Sequence, residues 1–296
     1  MEMQFIYADN AATTKMSDVA VKAMLPYLQE TYANASSVHI LGQRSAAALF
    51  SARQQLAQLL HCAPKELFFT SGGSEADNQA LISAAAIGKQ QGKRHIISTA
   101  MEHHAILHTL EALEEQGFTV TLLRPQKDGI VSAAQVAAAL TDETCLVSVM
   151  YANNETGAIQ PIKEIGALCR QRGVLFHTDA VQAAGHVDID VQRDNIDMLS
   201  LSAHKFHGPK GVGLLFAKNS IQLTSLIRGG GQERGKRAGT ENLPGIVGLA
   251  AAFKDAQEQL AVNTVYITNL RDALRAGLEQ IPGASFNGSR EHCLPG

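Results

Sequence analysis

Val174-Leu175-Phe176-His177-Thr178-Asp179-Ala180-Val181-Gln182, followed by Asp197-Met198-Leu199-Ser200-Leu201-Ser202-Ala203-His204-Lys205-Phe206-His207-Gly208-Pro209-Lys210-Gly211, is the part of the chain that decides the fold. Each segment starts as a short apolar run and ends in polar or glycine-rich residues, which is how a buried strand passes into a loop. Outward from this pair the same alternation covers Leu67 to Phe216. Leu67–Thr70, His95–Ser98, Thr119–Leu123, Thr144–Met150, Val174–His177, Met198–Leu201 and Val212–Phe216 read as strands. Between them, Ser74–Gly88, His104–Gln116, Ala133–Leu140 and Ile162–Gln171 carry apolar residues at three-to-four spacing, and Gly117 and Gly173 sit where helices stop. The expected architecture is α/β, a largely parallel seven-stranded sheet between helices.

Val19–Tyr27, Arg44–Leu60 and Gly248–Leu260 read as flanking helices, and the Gly/Arg-rich stretch Arg228–Thr240 reads as an exposed loop. The tail adds an amphipathic helix, Val265–Glu279, and a strand start at Ala284-Ser285-Phe286.

A chain of 296 residues can bury a large core. Its 25 basic and 28 acidic residues are interspersed, so no basic field for nucleic acid and no polybasic membrane anchor is expected. The N-terminus lacks signal-peptide character, and no apolar run approaches the roughly 18 residues of a membrane span. A cytoplasmic protein acting on a small molecule is expected. The four cysteines, Cys62, Cys145, Cys169 and Cys293, are scattered, which suggests reduced thiols without a disulfide framework or zinc knuckle.

Lys205 and Asp179 both lie where strands end, and ligands of open α/β sheets collect at the carboxyl ends of strands. A lysine to hold an aldehyde and a carboxylate to face a pyridinium nitrogen are the requirements of pyridoxal phosphate. Taken singly, each residue also fits an ordinary turn. Lys205 is preferred to Lys210, which reads as a turn residue between Pro209 and Gly211. Thr70–Asn78 follows a strand and opens a helix, so Gly73 and Ser74 can face a phosphate at the helix N-terminus. The alternative is a plain cap, with Ser74 as N-cap and Asp77 three residues on. Gln182 can bond a ring hydroxyl, and an imidazole of the His103-His104 pair can stack on a ring or simply cap a helix. Asn154, in a turn by composition, can also contact the ring. His204 and His207 do not make a convincing metal site, for want of further ligands.

Together these residues resemble the NifS/IscS-type cysteine desulfurases, fold type I pyridoxal phosphate enzymes of the class V aminotransferase group. The likeness runs in order through Tyr7–Thr14, Asn34–His39, Thr70–Asn78, Glu102-His103, Asn153–Gly157, His177–Gln182, Ser202–Gly213 and Arg228–Asn242. It implies that Lys205 is the Schiff-base lysine, that His103 stacks on the ring and assists proton transfer, and that Asp179 pairs with the ring nitrogen. It further implies that Asn154 and Gln182 contact the ring oxygen, and that Gly73, Ser74, Ser202 and His204 hold the phosphate side. Thr240 would reach the phosphate in the partner subunit of a homodimer. The implied reaction converts L-cysteine to L-alanine and passes the sulfur as a persulfide to an acceptor or scaffold protein, for iron–sulfur cluster or other assembly.

The resemblance also sets the expected domains. Residues 15–257 would form the large cofactor-binding domain, while 1–14 and 258–296 would form an incomplete small one. The family's nucleophilic cysteine and its carboxylate-binding arginine are expected beyond Gly296, so impaired turnover is expected of this chain. Cys293 just precedes Leu294-Pro295 and by motif order is not the sulfur acceptor. A selenocysteine lyase, a small aminotransferase or a non-catalytic cofactor- or partner-binding module are the alternative readings.

Overall fold

A computed structural model describes residues 6–296; residues 1–5, part of the expected 1–14 segment, lie outside the described residues. Seven strands form one sheet: β1 (Leu67–Thr70), β2 (His95–Thr99), β3 (Thr119–Leu123), β4 (Thr144–Ser148), β5 (Leu175–Asp179), β6 (Met198–Ser202) and β7 (Gly213–Ala217). Their spatial order is β1-β7-β6-β5-β4-β2-β3. Pairing is parallel from β6 to β3. β7 runs antiparallel to both β6 and β1, because the short link from Ala203 to Val212 cannot make the crossover that a parallel return needs.

This topology positions the site. Since β7 reverses direction twice over, β1 points the same way as β6, and Thr70 and Ser202 both lie opposite Gly213. The carboxyl ends of β1, β2, β4, β5 and β6 therefore share one edge of the sheet.

Both faces are covered, by α1 (Asp18–Gln29), α2 (Ile40–Leu59), α3 (Gly73–Gln90), α4 (His104–Glu115), α5 (Ala133–Ala139), α6 (Ile162–Arg172) and α7 (Leu243–Glu258). Alternate strand residues enter two separate cores, as the two-residue period of a strand requires. Phe68, Ile96, Leu146, Met198 and Leu215 pack with Ala80, Leu81 and Ala84 of α3 and Leu110 of α4. Phe69, Ile97, Val147, Phe176, Leu199 and Leu214 pack on the other side with Leu56 of α2 and Leu249 and Phe253 of α7. Gly173 closes α6 in the left-handed conformation, φ 64°.

Two expectations fail here. Ala284–Phe286 is irregular, not a strand: its carbonyls and amides find no strand partner, and Phe286 instead packs under the Arg275 guanidinium of α8 (Leu260–Leu278) at 4.7 Å. The tail touches the sheet region through an isolated bridge between Cys293 and Ala158. The Gly/Arg loop is not wholly exposed either. Glu233, in the left-handed region at φ 45°, is buried and meets Arg53 of α2 through two hydrogen bonds, 2.5 and 2.9 Å. It also accepts the Phe69 N–H at 3.1 Å. Two oppositely charged side chains far apart in sequence fold the loop inward. Among the described residues no helix is long and apolar enough to cross a membrane.

Candidate active site

At the shared strand edge a cavity of about 460 Å³ opens. Gly73, Ser74, His103, Asn154, Asp179, Gln182, Ser202, His204 and Lys205 all line it, drawn from five loops or strand ends. Thr240 does not. It is exposed and lines a separate pocket with Glu233 and Arg237.

The cap reading of Ser74 is corrected by the structure. Gly72 is the N-cap of α3, and Ser74 lies inside its first turn. Glu75 takes the capping role by accepting the Ser71 N–H at 2.8 Å, and Asp77 points into the protein interior, 1% exposed. The first-turn N–H groups of α3 thus face the cavity at the positive end of an 18-residue helix. A Cβ on Gly73 would meet Val181 Cγ2 at 2.6 Å, so only glycine lets the backbone approach this closely.

Asp179 is the last residue of β5 and is buried; its Oδ1 accepts the Val181 N–H at 2.8 Å. Burial pushes its carboxyl up to about 6, against the pull of the Val181 N–H and the Lys205 charge. Lys205 lies in the single 3₁₀ turn after β6, half-buried, with its Nζ donating to the Ala11 and Ala12 carbonyls at 2.5 and 3.0 Å. Burial lowers the ammonium's affinity for its proton, while Asp179 and Asp9 oppose that. Gln182 Nε2 donates to the same Ala11 carbonyl at 3.0 Å. Lys210 is an exposed turn residue.

His103 is the N-cap of α4, its Nδ1 accepting the Ala105 N–H at 3.1 Å. Burial, then His104 and Lys205, hold its ring below the ordinary histidine range. His204, anchored to Thr13 Oγ1 at 3.1 Å, is lowered by burial and by Lys205 and Lys210. In the turn after β4, Asn153 Oδ1 accepts from Glu155 N, Thr156 N and Thr156 Oγ1 and so builds the turn itself. That leaves Asn154 to line the cavity.

Sequence reasoning missed Asp9, Ala11 and Ala12, which reach the cavity from the N-terminal segment, and it missed Asp77 as part of the wall. Asp77 had a signal: it is a carboxylate inside the apolar stripe Ala76, Ala80, Leu81, Ala84. Of the cysteines, burial raises Cys62 to about 12, Cys145 to about 11 and Cys169 to about 12, so their thiols stay protonated. Cys293 takes the Arg271 guanidinium on its sulfur at 3.2 Å and does not line the cavity.

The family described as aminotransferase class-V matches residues 6–296. A cysteine desulfurase IscS of Clostridium botulinum (strain Hall) is 50% identical over 287 residues, which cover 97% of this chain and 72% of that protein. A solved NifS-like protein superposes with a TM-score of 0.95 at 38% identity, covering 99% of this chain and 80% of that one. A structure of SspA in complex with cysteine gives a TM-score of 0.81 at 41% identity, over 84% of this chain and 72% of the other.

Proposed function

This chain belongs to the class-V aminotransferase family, and from that premise we propose that it is a pyridoxal phosphate-dependent cysteine desulfurase acting on L-cysteine. One observation carries the reading: Lys205 and Asp179, at the carboxyl ends of the adjacent strands β6 and β5, open onto one cavity with the glycine-lined N-terminus of α3. The donor set fits the cofactor. Gly73, lacking a Cβ, lets the start of α3 pack against Val181 at the cavity wall, where the helix N-terminus can receive a phosphate, and Ser74, Ser202 and His204 supply polar groups beside it. Asp179 would face the ring nitrogen, Gln182 and Asn154 the ring oxygen, and His103 the ring face. Pyridoxal phosphate supplies an aldehyde for the substrate amine and a protonated ring that draws electrons from the substrate's α-carbon.

The chain's own residues would do the rest. Lys205, its proton loosened by burial against the opposing pull of Asp179 and Asp9, suits a proton carrier, and the Ala11 and Ala12 carbonyls give its free ammonium a resting place. His103, its proton affinity lowered by burial and by His104 and Lys205, can accept and pass on a proton. Asp179, more ionised than not at pH 7, would hold a proton on the ring nitrogen of the bound cofactor. The sulfur would leave the cysteine as a persulfide on an acceptor thiolate, and none of the described cysteines lines the cavity. A homodimer in which Thr240 serves the partner's site accounts for its exposure outside its own cavity. The division into residues 15–257 and a smaller unit that includes 258–296 is part of the same proposal, supported by the exposed apolar stripe Val262, Tyr266, Leu270 and Leu274 of α8.

The decisive test is borohydride reduction of the protein loaded with pyridoxal phosphate, followed by peptide mapping and an assay of alanine from L-cysteine. A pyridoxyl adduct on Lys205 is expected. An adduct on Lys210, or none, overturns the assignment.

A further inference from the structure

Behind the cavity lies a polar belt that the proposed chemistry leaves unused. His177, Asp179, Ser200 and Ser202 alternate on the α3 face of β5 and β6, the face that also carries Met198 into the α3 core. His177 Nδ1 meets Ser148 Oγ at 2.9 Å, and its Nε2 meets Ser200 Oγ at 3.0 Å, so the imidazole is fixed between two hydroxyls across three strands. Asp77 of α3 comes down onto this belt, with Oδ1 3.7 Å from His177 Nε2, beyond hydrogen-bond reach. That oxygen has no hydrogen-bond partner among the described residues, although Asp77 lines the cavity.

The groups facing Asp77 can be named from every side. His177 and Asp179 come from β5, Ser200 from β6, and Glu102 from the loop after β2. Glu102 is itself buried, with Oε1 accepting from Thr99 Oγ1 and Met150 N and Oε2 without a partner. Among the described residues, the one cation acting on this set is Lys205, and it acts on Asp179. Three buried carboxyls therefore share a region with one ammonium, and a site of this kind cannot keep all three charged.

Hydrogen bonding ranks them. Asp179 has an N–H donor on Oδ1 and the Lys205 charge nearby. Glu102 has an N–H and a hydroxyl donor on one oxygen. Asp77 has a single hydroxyl donor, from Ser200, and against it an unpartnered Oδ1 and two carboxyl neighbours.

We infer that Asp77 is a positioning residue for Asp179: it stays a neutral carboxylic acid in the cavity wall, so that Asp179 is the ionised carboxylate left to face the ring nitrogen. The ordering of the carboxyls agrees. Burial, then Asp179, pushes Asp77 far above the usual range; burial raises Glu102 to about 8; Asp179 rises only to about 6. His177 supplies no compensating charge, since burial drops it to about 3. Asp77 thus acts through Asp179 by withholding a second negative charge, in the manner of paired carboxyls that cannot both ionise. The role toward the ring rests on the cofactor reading above, whereas the protonation of Asp77 is a property of the protein alone.

Carbon-13 labelling of aspartate side-chain carboxyls separates the two. At pH 8 the cofactor-free protein should show one neutral aspartate carboxyl resonance, lost in Asp77→Asn. No neutral resonance, or one that persists in Asp77→Asn, overturns the inference. If Asp77→Asn does not fold, Asp77→Ser serves the same assignment. After loading with pyridoxal phosphate the neutral resonance should remain, and its disappearance would mean that Asp77 ionises beside the ring, which also overturns the inference. Cofactor uptake is read separately by visible absorbance. A neutral Asp77 in a protein that takes up no pyridoxal phosphate would overturn the cofactor reading and the role toward Asp179 with it, while uptake without a neutral aspartate would overturn only the inference.

Discussion

Asp179→Asn should make the cofactor-free protein more stable near neutral pH while slowing the proposed chemistry by orders of magnitude. Asp179 is buried, and its carboxyl rises from 3.8 to about 6 in the folded protein. A raised acid binds its proton more tightly folded than unfolded. Its contribution to stability is therefore complete below the unfolded value near 4 and is lost as the pH rises through about 6. About two pH units at ~1.4 kcal/mol each place that loss on the order of 3 kcal/mol. Asparagine has no such proton to lose, and its Oδ1 can still accept the Val181 N–H now bonded at 2.8 Å. Urea unfolding of both cofactor-free proteins from pH 4 to 7 should show the stability difference moving toward the variant by on the order of 3 kcal/mol. Loaded with pyridoxal phosphate, the variant should remove the α-proton of bound L-cysteine slower by orders of magnitude, read as solvent deuterium exchange. A stability difference independent of pH, or one that moves toward the wild type near pH 7, would refute the claim that Asp179 carries a buried charge poorly compensated until a cationic ring meets it.

The anchor of the Gly/Arg loop makes a second prediction. Glu233→Ala strands the buried Arg53 guanidinium and should cost about 3–5 kcal/mol in thermal or urea unfolding, with Glu233→Gln costing less because it keeps hydrogen bonds. Equal effects of the two would show that charge is not what holds the loop. Gly73→Ala, whose new methyl meets Val181 Cγ2 at 2.6 Å, should weaken pyridoxal phosphate binding at least about tenfold in an absorbance titration. Adding Val181→Ala should restore much of it, and failure of that rescue would place the damage elsewhere. Mixing Lys205→Ala with Thr240→Val under conditions of subunit exchange should yield heterodimers with one intact site, seen as regained α-proton exchange of bound L-cysteine; no regain would argue that Thr240 serves its own subunit.

The seven strands, and the helices between them, were legible in the sequence because apolar periodicity is a local property, set by which face of a short segment must leave water. Lys205 and Asp179 were legible for the same reason: each stands where an apolar run gives out. Position alone singles out Asn154, which lines the cavity while its neighbour Asn153 spends its side chain on the turn. Partnership between distant residues was not legible. The burial of Glu233 depends on Arg53, 180 positions away. The irregular course of Ala284–Phe286 reflects the lack of a strand to pair with, which no run of β-favouring residues reveals. Asp77 looked like a cap residue because local spacing allowed it, whereas the docking of α3 onto the face carrying His177 and Asp179 turned it into the cavity wall. Local sequence fixes what each segment can be. Which charges share a low-dielectric space, and therefore which of them must stay neutral, is decided only when the sheet order brings β5, β6 and α3 together.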